Sequence, residues 1–210
     1  MLTRPFFFYG GGNLGFRERY DRTKHAAAMK EIWDDVRATL VPLLGHDEIV
    51  VYGVDEADGK TLESEFAFWE DFRRLGGRVF VTTLTTNVAR VAPRIDVVIA
   101  SSAPARKTAE TAHASGARIW NYAWPQVERE MDPLEYRRNY GFGCYAANYD
   151  GFDFYAYIEA MGHPWNPFDS RLGWDGLMVY PTADGVLDVP AWEAMGAAVD
   201  DVRYATKLLE

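Results

Sequence analysis

Short apolar runs alternate with helix-like patterns along the whole chain, and this alternation constrains the fold more than any other feature. The apolar runs predict six strands, at Pro5–Tyr9, Glu48–Val54, Arg78–Thr82, Ile95–Ala100, Ala117–Tyr122 and Gly151–Ile158. Between them, apolar residues recur at steps of three and four, as from Asp21 to Leu44 and from about Thr61 to Leu75. Strands separated by helices are typical of a parallel α/β sheet. We therefore predict an α/β fold, organised as one domain over residues 1–210.

Composition excludes several classes of function. A formal net charge of −9, without any run of Lys or Arg, is unsuited to binding the phosphates of nucleic acid. The single Cys144 cannot form an internal disulfide, and the four histidines are scattered, so we expect no metal site and no bound cofactor. No segment approaches the roughly 20 apolar residues that span a bilayer. The sequence thus predicts no nucleic-acid partner and no membrane contact.

A glycine-rich turn offers one alternative interpretation. Gly10 to Gly15 follows a predicted strand and matches G-x-G-x-x-G, the pattern of a dinucleotide-binding turn. The residues after it, Arg17 to Arg22, are too polar to open a helix that packs on a sheet. The next acidic residue at a strand end, Asp55, comes far later than the usual ~20 residues. Binding of NAD or NADP through this turn is therefore a secondary hypothesis.

Three stretches in order along the chain resemble a known family. They are Tyr52–Asp58 (YGVDEAD), Tyr149–Tyr157 (YDGFDFYAY), and Gly176–Pro181 (GLMVYP) followed by Ala198–Tyr204 (AVDDVRY). Together they are similar to domain of unknown function 4091, a bacterial family whose barrel resembles those of glycoside hydrolases. Tyr155 stands where that family usually has Trp, and Ala191–Glu193 does not reproduce its Ser-x-Arg pattern.

The resemblance implies a (β/α)8 barrel of the TIM type that is incomplete in this chain. The six predicted strands would be the third to the eighth of the barrel, so that the first two units are missing. A second chain or domain would then complete the barrel. The resemblance also implies a carbohydrate substrate, and an extracellular or periplasmic location if an export signal has been removed.

The acidic pair Asp55-Glu56 is the expected catalytic centre. It follows the second predicted strand, and β/α-barrel enzymes place their catalytic groups at the carboxyl ends of strands. We expect Glu56 to be the general acid of a glycosidase, with Asp55 orienting it or a sugar hydroxyl. Adjacent side chains of a strand point to opposite faces, so both can serve only if the chain has already turned into a loop. Two solvated loop acids are the alternative.

Glycoside hydrolysis usually needs a second carboxylate, and its position is open in the sequence. Glu159, at the end of the last predicted sheet strand, is the preferred candidate by strand polarity, ahead of Asp153 and Asp96. In a further alternative, the N-acetyl group of the substrate replaces the nucleophile.

Aromatic and amide side chains near strand ends predict a sugar-binding surface, because flat rings suit the apolar faces of sugars. The expected members are Tyr9, Asn13, Arg17, Tyr52, Asn121, Tyr122, Trp124, Tyr157 and Trp165. Trp165 lies in an aromatic loop that could form a lid or rim over the site. The sequence thus favours a glycoside hydrolase acting on an oligo- or polysaccharide, with a non-catalytic carbohydrate-binding barrel as the alternative.

Overall fold

The protein has an α/β fold with a six-stranded sheet. A computed structural model describes residues 5–122, 132–159, 162–166, 169 and 176–210. The strands are β1 (Phe6–Phe8), β2 (Ile49–Tyr52), β3 (Arg78–Leu84), β4 (Val97–Ser101), β5 (Arg118–Tyr122), β6 (Gly151–Asp153), β7 (Ile158–Glu159), β8 (Gly176–Leu177), β9 (Val179–Pro181) and β10 (Val186–Asp188). The helices are α1 (Arg22–Leu44), α2 (Gly59–Arg74), α3 (Val88–Val91), α4 (Arg106–Ala114), α5 (Pro133–Arg138), α6 (Cys144–Ala146) and α7 (Pro190–Leu209).

Strand order in the main sheet follows chain order, from β1 to β6, and β7–β8 and β9–β10 form two small antiparallel sheets. The pairs β1–β2, β2–β3 and β5–β6 are parallel. Parallel neighbours in sequential order are what helical crossovers produce, so the predicted α/β class is confirmed. Within the described residues, no helix has the length and apolarity that crossing a bilayer requires.

The chain divides into two compact units, Met1–Ala100 with Thr111–Arg118 and Ser101–Glu110 with Ile119–Glu210. In the first unit, Asp21 caps α1 by accepting from the backbone N–H groups of Thr23 and Lys24. Helix α1 packs on α2, where the Trp33 and Phe72 rings meet edge to face at 4.8 Å. The expected single domain stays a prediction.

The second unit is built around α7. Its core joins α5, a π-helical turn at Asn139–Gly143, and α7, through Tyr136, Tyr140, Met178, Ala194 and Met195. Arg137 binds both carboxylate oxygens of Asp201 at 2.6 and 2.7 Å. A Cβ on Gly141 would lie 3.2 Å from Ala198, so glycine permits the close approach of the turn to α7. The helical segment from Pro133 to Ala146 therefore contains a π-helical turn between α5 and α6.

One predicted strand is shorter than expected. The run Gly151–Ile158 ends as a strand at Asp153, because the Asp153 carboxylate accepts from the next backbone N–H, that of Phe154, at 2.8 Å. Ile158 and Glu159 pair instead with Leu177 and Gly176 in an antiparallel ladder. Asp153 and the tyrosines after it therefore do not share one face of a single strand.

Candidate functional site

The acidic pair lies in the turn that leaves the carboxyl end of β2. Beyond β2 the chain first continues alongside β3, since Gly53 N donates to Phe80 O and Glu56 N to Thr82 O, at 2.9 and 3.1 Å. Glu56 then adopts left-handed backbone geometry, with φ of 46°. This turn removes the strand constraint that would send adjacent side chains to opposite faces. Asp55 and Glu56 are both exposed.

A tyrosine of the strand holds Asp55. The Tyr52 hydroxyl donates to Asp55 Oδ1 at 2.6 Å and lies 3.1 Å from the Thr82 hydroxyl. The Tyr52 ring packs between those of Tyr9 and Phe80, with centroids 5.1 and 4.8 Å away. A hydrogen bond to a carboxylate from a side chain fixed by packing orients that carboxylate. Tyr9 and Tyr52, both predicted to bind substrate, are thus adjacent, with Tyr9 60% exposed.

The environment of Glu56 favours its protonated form. Although the residue is exposed as a whole, partial burial of its carboxyl group raises the pKa of Glu56, and the neighbouring charge of Asp55 raises it further. Asp55 has the Tyr52 hydroxyl as a donor, whereas the causes acting on Glu56 both oppose its ionisation. Two neighbouring carboxyl groups in such different settings can act as an acid and a charged stabiliser.

Glu65 is a contributor to this turn whose role the sequence does not reveal. It lies on α2, is only 1% exposed, and accepts from Val54 N at 3.1 Å. From the sequence, an acidic residue in the first half of α2 is expected to be exposed and to complement the helix dipole. Its spacing of three from Leu62 and seven from Phe72, both fully buried, is the signal that could have placed it on the buried face.

Asp58, the third acid of the β2–α2 loop, is a helix cap. Its carboxylate accepts from Gly59 N at 2.7 Å and from Asn87 Nδ2 at 3.1 Å. These two bonds, chiefly the backbone one, lower the pKa of Asp58. Capping leaves Asp55 and Glu56 as the acids of this loop that can face a substrate.

The glycine turn after β1 lies beside the β2 turn. All residues from Gly10 to Gly15 have positive φ, between 40° and 88°. A Cβ on Gly12 would lie 3.1 Å from Gly53 O and 3.4 Å from Arg17 Cγ, so the turn touches the end of β2 and carries the exposed Arg17. Asn13 is only 1% exposed, and its Oδ1 accepts from Trp69 Nε1 at 3.2 Å. Asn13 therefore anchors the turn to α2.

This turn lacks the geometry of a dinucleotide site. In that fingerprint the glycines lead directly into a helix whose N-terminus binds the pyrophosphate. Here two short 3-10 turns, Asn13–Gly15 and Arg17–Arg19, come first, and α1 begins only at Arg22. The placement of α1 thus disfavours the dinucleotide hypothesis.

The other candidates belong to the second unit. Asn121 is fully buried and donates to Ser102 O at 2.6 Å, and Tyr122 is half-buried. Tyr157 is 44% exposed, with its ring edge on Trp192 at 5.3 Å. Trp165 is 50% exposed, and Trp124 lies outside the described residues. The structure therefore groups Tyr9, Arg17, Tyr52 and the acidic pair in one unit, and buries both candidate asparagines.

The structure gives no positional support to two candidates for the second carboxylate. Asp96 precedes β4, at the amino end of the sheet strands, and binds Val79 N through Oδ2 at 2.9 Å. It therefore lies at the edge of the sheet opposite to Asp55 and clamps two strands. Glu159 is half-buried in the antiparallel pair β7–β8, so the argument that placed it at the end of a parallel sheet strand fails. Its catalytic role stays a prediction without that support.

Comparison with known proteins assigns no family. No family model matches the chain, and no curated protein is significantly similar to it.

Across the part of the chain that the structure describes, no group of three or more His, Cys, Asp or Glu side chains could hold a metal ion. Cys144 is buried, and burial raises the pKa of its thiol to about 12. The class that fold and site define is an α/β protein with an acidic pair at a strand end.

Proposed function

We propose that this protein is a glycoside hydrolase in which Glu56 is the general acid. The observation that carries the proposal is the arrangement of two adjacent carboxyl groups at the carboxyl end of β2. Asp55 is held by the Tyr52 hydroxyl at 2.6 Å, and Glu56 has a raised pKa. A glycosidase requires one protonated and one ionised carboxyl group near the scissile bond.

In the proposed reaction, Glu56 gives its proton to the glycosidic oxygen as the bond from that oxygen to the anomeric carbon breaks. The negative charge of Asp55 stabilises the positive charge that develops on the sugar. A nucleophile must then reach the anomeric carbon. Within the β2–α2 loop, Asp58 is committed to capping, which favours either an acid from outside this loop or the substrate's own N-acetyl oxygen.

We also propose that the fold is part of a β/α barrel and that the chain is related to domain of unknown function 4091. Six sheet strands in chain order suit the later three quarters of a β/α barrel, and catalytic groups of barrels follow the carboxyl ends of strands. The likeness to domain of unknown function 4091 points the same way. A second chain or domain that supplies two further β/α units would complete such a barrel.

The test is hydrolysis of a panel of aryl glycosides and oligosaccharides, including N-acetylhexosaminides. Glu56→Gln should lower kcat by about 10²–10⁴-fold on natural glycosides. The loss should be smaller with a dinitrophenyl leaving group, which departs without protonation. Glu63→Gln is the matched control, because Glu63 lies exposed on α2 and pairs only at the surface with Arg90.

Full activity of Glu56→Gln on unactivated substrates would refute the assignment of the general acid. Hydrolysis of N-acetylhexosaminides alone would favour the substrate's acetamido group over a second carboxylate as the nucleophile. Binding of glycans without hydrolysis of any would support the non-catalytic alternative and contradict the proposed activity.

A further inference from the structure

The short β9–β10 ribbon carries an exposed strip of large side chains on one face. In its antiparallel register, Tyr180 lies opposite Leu187, and directly opposite residues share a face. Leu187 is 55% exposed and Tyr180 is half-buried. The turn of the ribbon, Thr182–Gly185, is closed by Thr182 N donating to Gly185 O at 2.9 Å, and its residues are exposed.

Trp165 extends this strip and is held in a defined position. Its ring stacks on Tyr180, with centroids 4.9 Å apart and planes inclined by 27°. The indole N–H donates to Pro181 O at 2.8 Å, and the backbone N–H of Trp165 donates to His163 Nδ1 at 3.2 Å. Half of the Trp165 residue surface is nevertheless exposed. Stacking on Tyr180 covers part of the ring, and the exposed remainder is an apolar surface that faces solvent. Because stacking and the indole hydrogen bond already fix the side chain, binding a ligand would cost it little further conformational entropy.

We infer that Trp165, Tyr180 and the Thr182–Gly185 turn form a binding platform for a sugar unit of a polysaccharide. The C–H face of a pyranose ring would lie on the indole. The hydroxyl of Thr182 and the carboxylate of Asp184, both exposed in the turn that follows Pro181, would bond the sugar hydroxyl groups at the rim. A fixed aromatic ring flanked by a few polar groups is the usual construction of a sugar subsite.

The size of the strip favours a sugar over a protein partner. Trp165 and Leu187 are each about half exposed and Tyr180 is less exposed, so the strip offers roughly 300 Å² if a fully buried side chain of this size covers 150–250 Å². A stable protein interface needs about 800 Å² from each partner. One or two sugar units match the smaller area. The inference extends the proposed function by assigning it a polymeric substrate, yet binding is measurable without hydrolysis.

The experiment measures binding of the protein to polysaccharides by affinity gel electrophoresis and calorimetry, with chitin oligomers, xylan, cellulose oligomers and starch as probes. The background is Glu56→Gln, so that substrate is not consumed. Trp165→Ala should weaken binding about tenfold or more, and Trp165→Phe, which keeps a stacking ring, should weaken it less. Tyr204→Ala is the matched control, because Tyr204 lies 74% exposed on α7, outside the ribbon.

Equal binding by Trp165→Ala and the parent, or no binding of any probe by the parent, would overturn the platform. A change in oligomeric state of Trp165→Ala in light scattering, without any effect on glycans, would identify the strip as a protein contact and overturn it too. Hydrolysis by the wild type together with polysaccharide binding that is independent of Trp165 would refute the platform and leave the proposed function standing. Binding that depends on Trp165 in a protein that hydrolyses nothing would support the platform and refute the proposed function.

Discussion

The hydrogen bond between Glu65 and Val54 makes a quantitative prediction. Glu65 is 1% exposed and Val54 is 4% exposed, so water cannot replace the carboxylate as acceptor for the Val54 N–H. Leaving a buried N–H without an acceptor costs about 1–3 kcal/mol. Glu65→Gln keeps an oxygen at the same distance along the side chain, whereas Glu65→Leu keeps the bulk and removes the acceptor. We expect the Leu variant to be less stable than the Gln variant by about 1–3 kcal/mol.

For a chain of this size, 1 kcal/mol shifts Tm by roughly 2–4 °C, which places the Leu variant about 2–12 °C below the Gln variant. Thermal unfolding followed by circular dichroism measures this difference. Hydrogen exchange at the Val54 amide locates it, because the Leu variant should exchange faster there. Equal Tm values and equal exchange in the two variants would show that the bond to Glu65 does not hold this turn.

Four other substitutions test stability, three of them in the first unit and Gly196→Ala in the second. The pKa of Glu56 is raised in the folded state, so ionisation of this residue opposes folding. Glu56→Gln should therefore raise the free energy of unfolding at pH 7 and give no gain below roughly pH 4. Urea titrations at both pH values measure the difference. Burial raises the pKa of Asp71, but bonds from Arg22 and Tyr20 lower it overall, so Asp71→Asn should cost about 1–2 kcal/mol at pH 7 and less as the pH falls below about 4. A Cβ on Gly53 would lie 2.2 Å from Val81 Cγ2, so Gly53→Ala should destabilise the protein by about 1–3 kcal/mol. A Cβ on Gly196 would lie in open space on α7, so Gly196→Ala should stabilise it by up to about 1 kcal/mol. A higher Tm for Gly53→Ala than for Gly196→Ala would contradict the packing described for Gly53.

Periodicity predicted the architecture where burial follows a simple repeat. Helix α1 was expected from Asp21 to Leu44 and extends over Arg22–Leu44, because its apolar positions recur at helical spacing and Gly45 ends it with φ of 76°. The first five sheet strands also lie where apolar runs indicate them. These elements bury one continuous face, and the sequence displays that face directly.

Prediction failed where side chains compete with the backbone or with each other. The Asp153 carboxylate bonds its neighbouring N–H and ends β6, a local event that an apolar run conceals. Asn13 and Asn121 look like exposed ligands, but tertiary hydrogen bonds to Trp69 and Ser102 place them inside. The acidic pair was located correctly at a strand end, yet the partners that define its chemistry, Tyr52 and Glu65, depend on contacts across the fold.

The Tyr52 and Thr82 hydroxyl groups form a chain of hydrogen bonds that leads to Asp55, and the direction of each bond is determined. A phenol has one proton, and Tyr52 gives it to Asp55, so the Thr82 hydroxyl must donate to the Tyr52 oxygen. Charge on Asp55 thereby polarises a chain of two O–H bonds that runs inward to Thr82, which is only 4% exposed. The orientation of one hydrogen on a buried threonine is thus set by a carboxylate at the protein surface that lies two hydrogen bonds away.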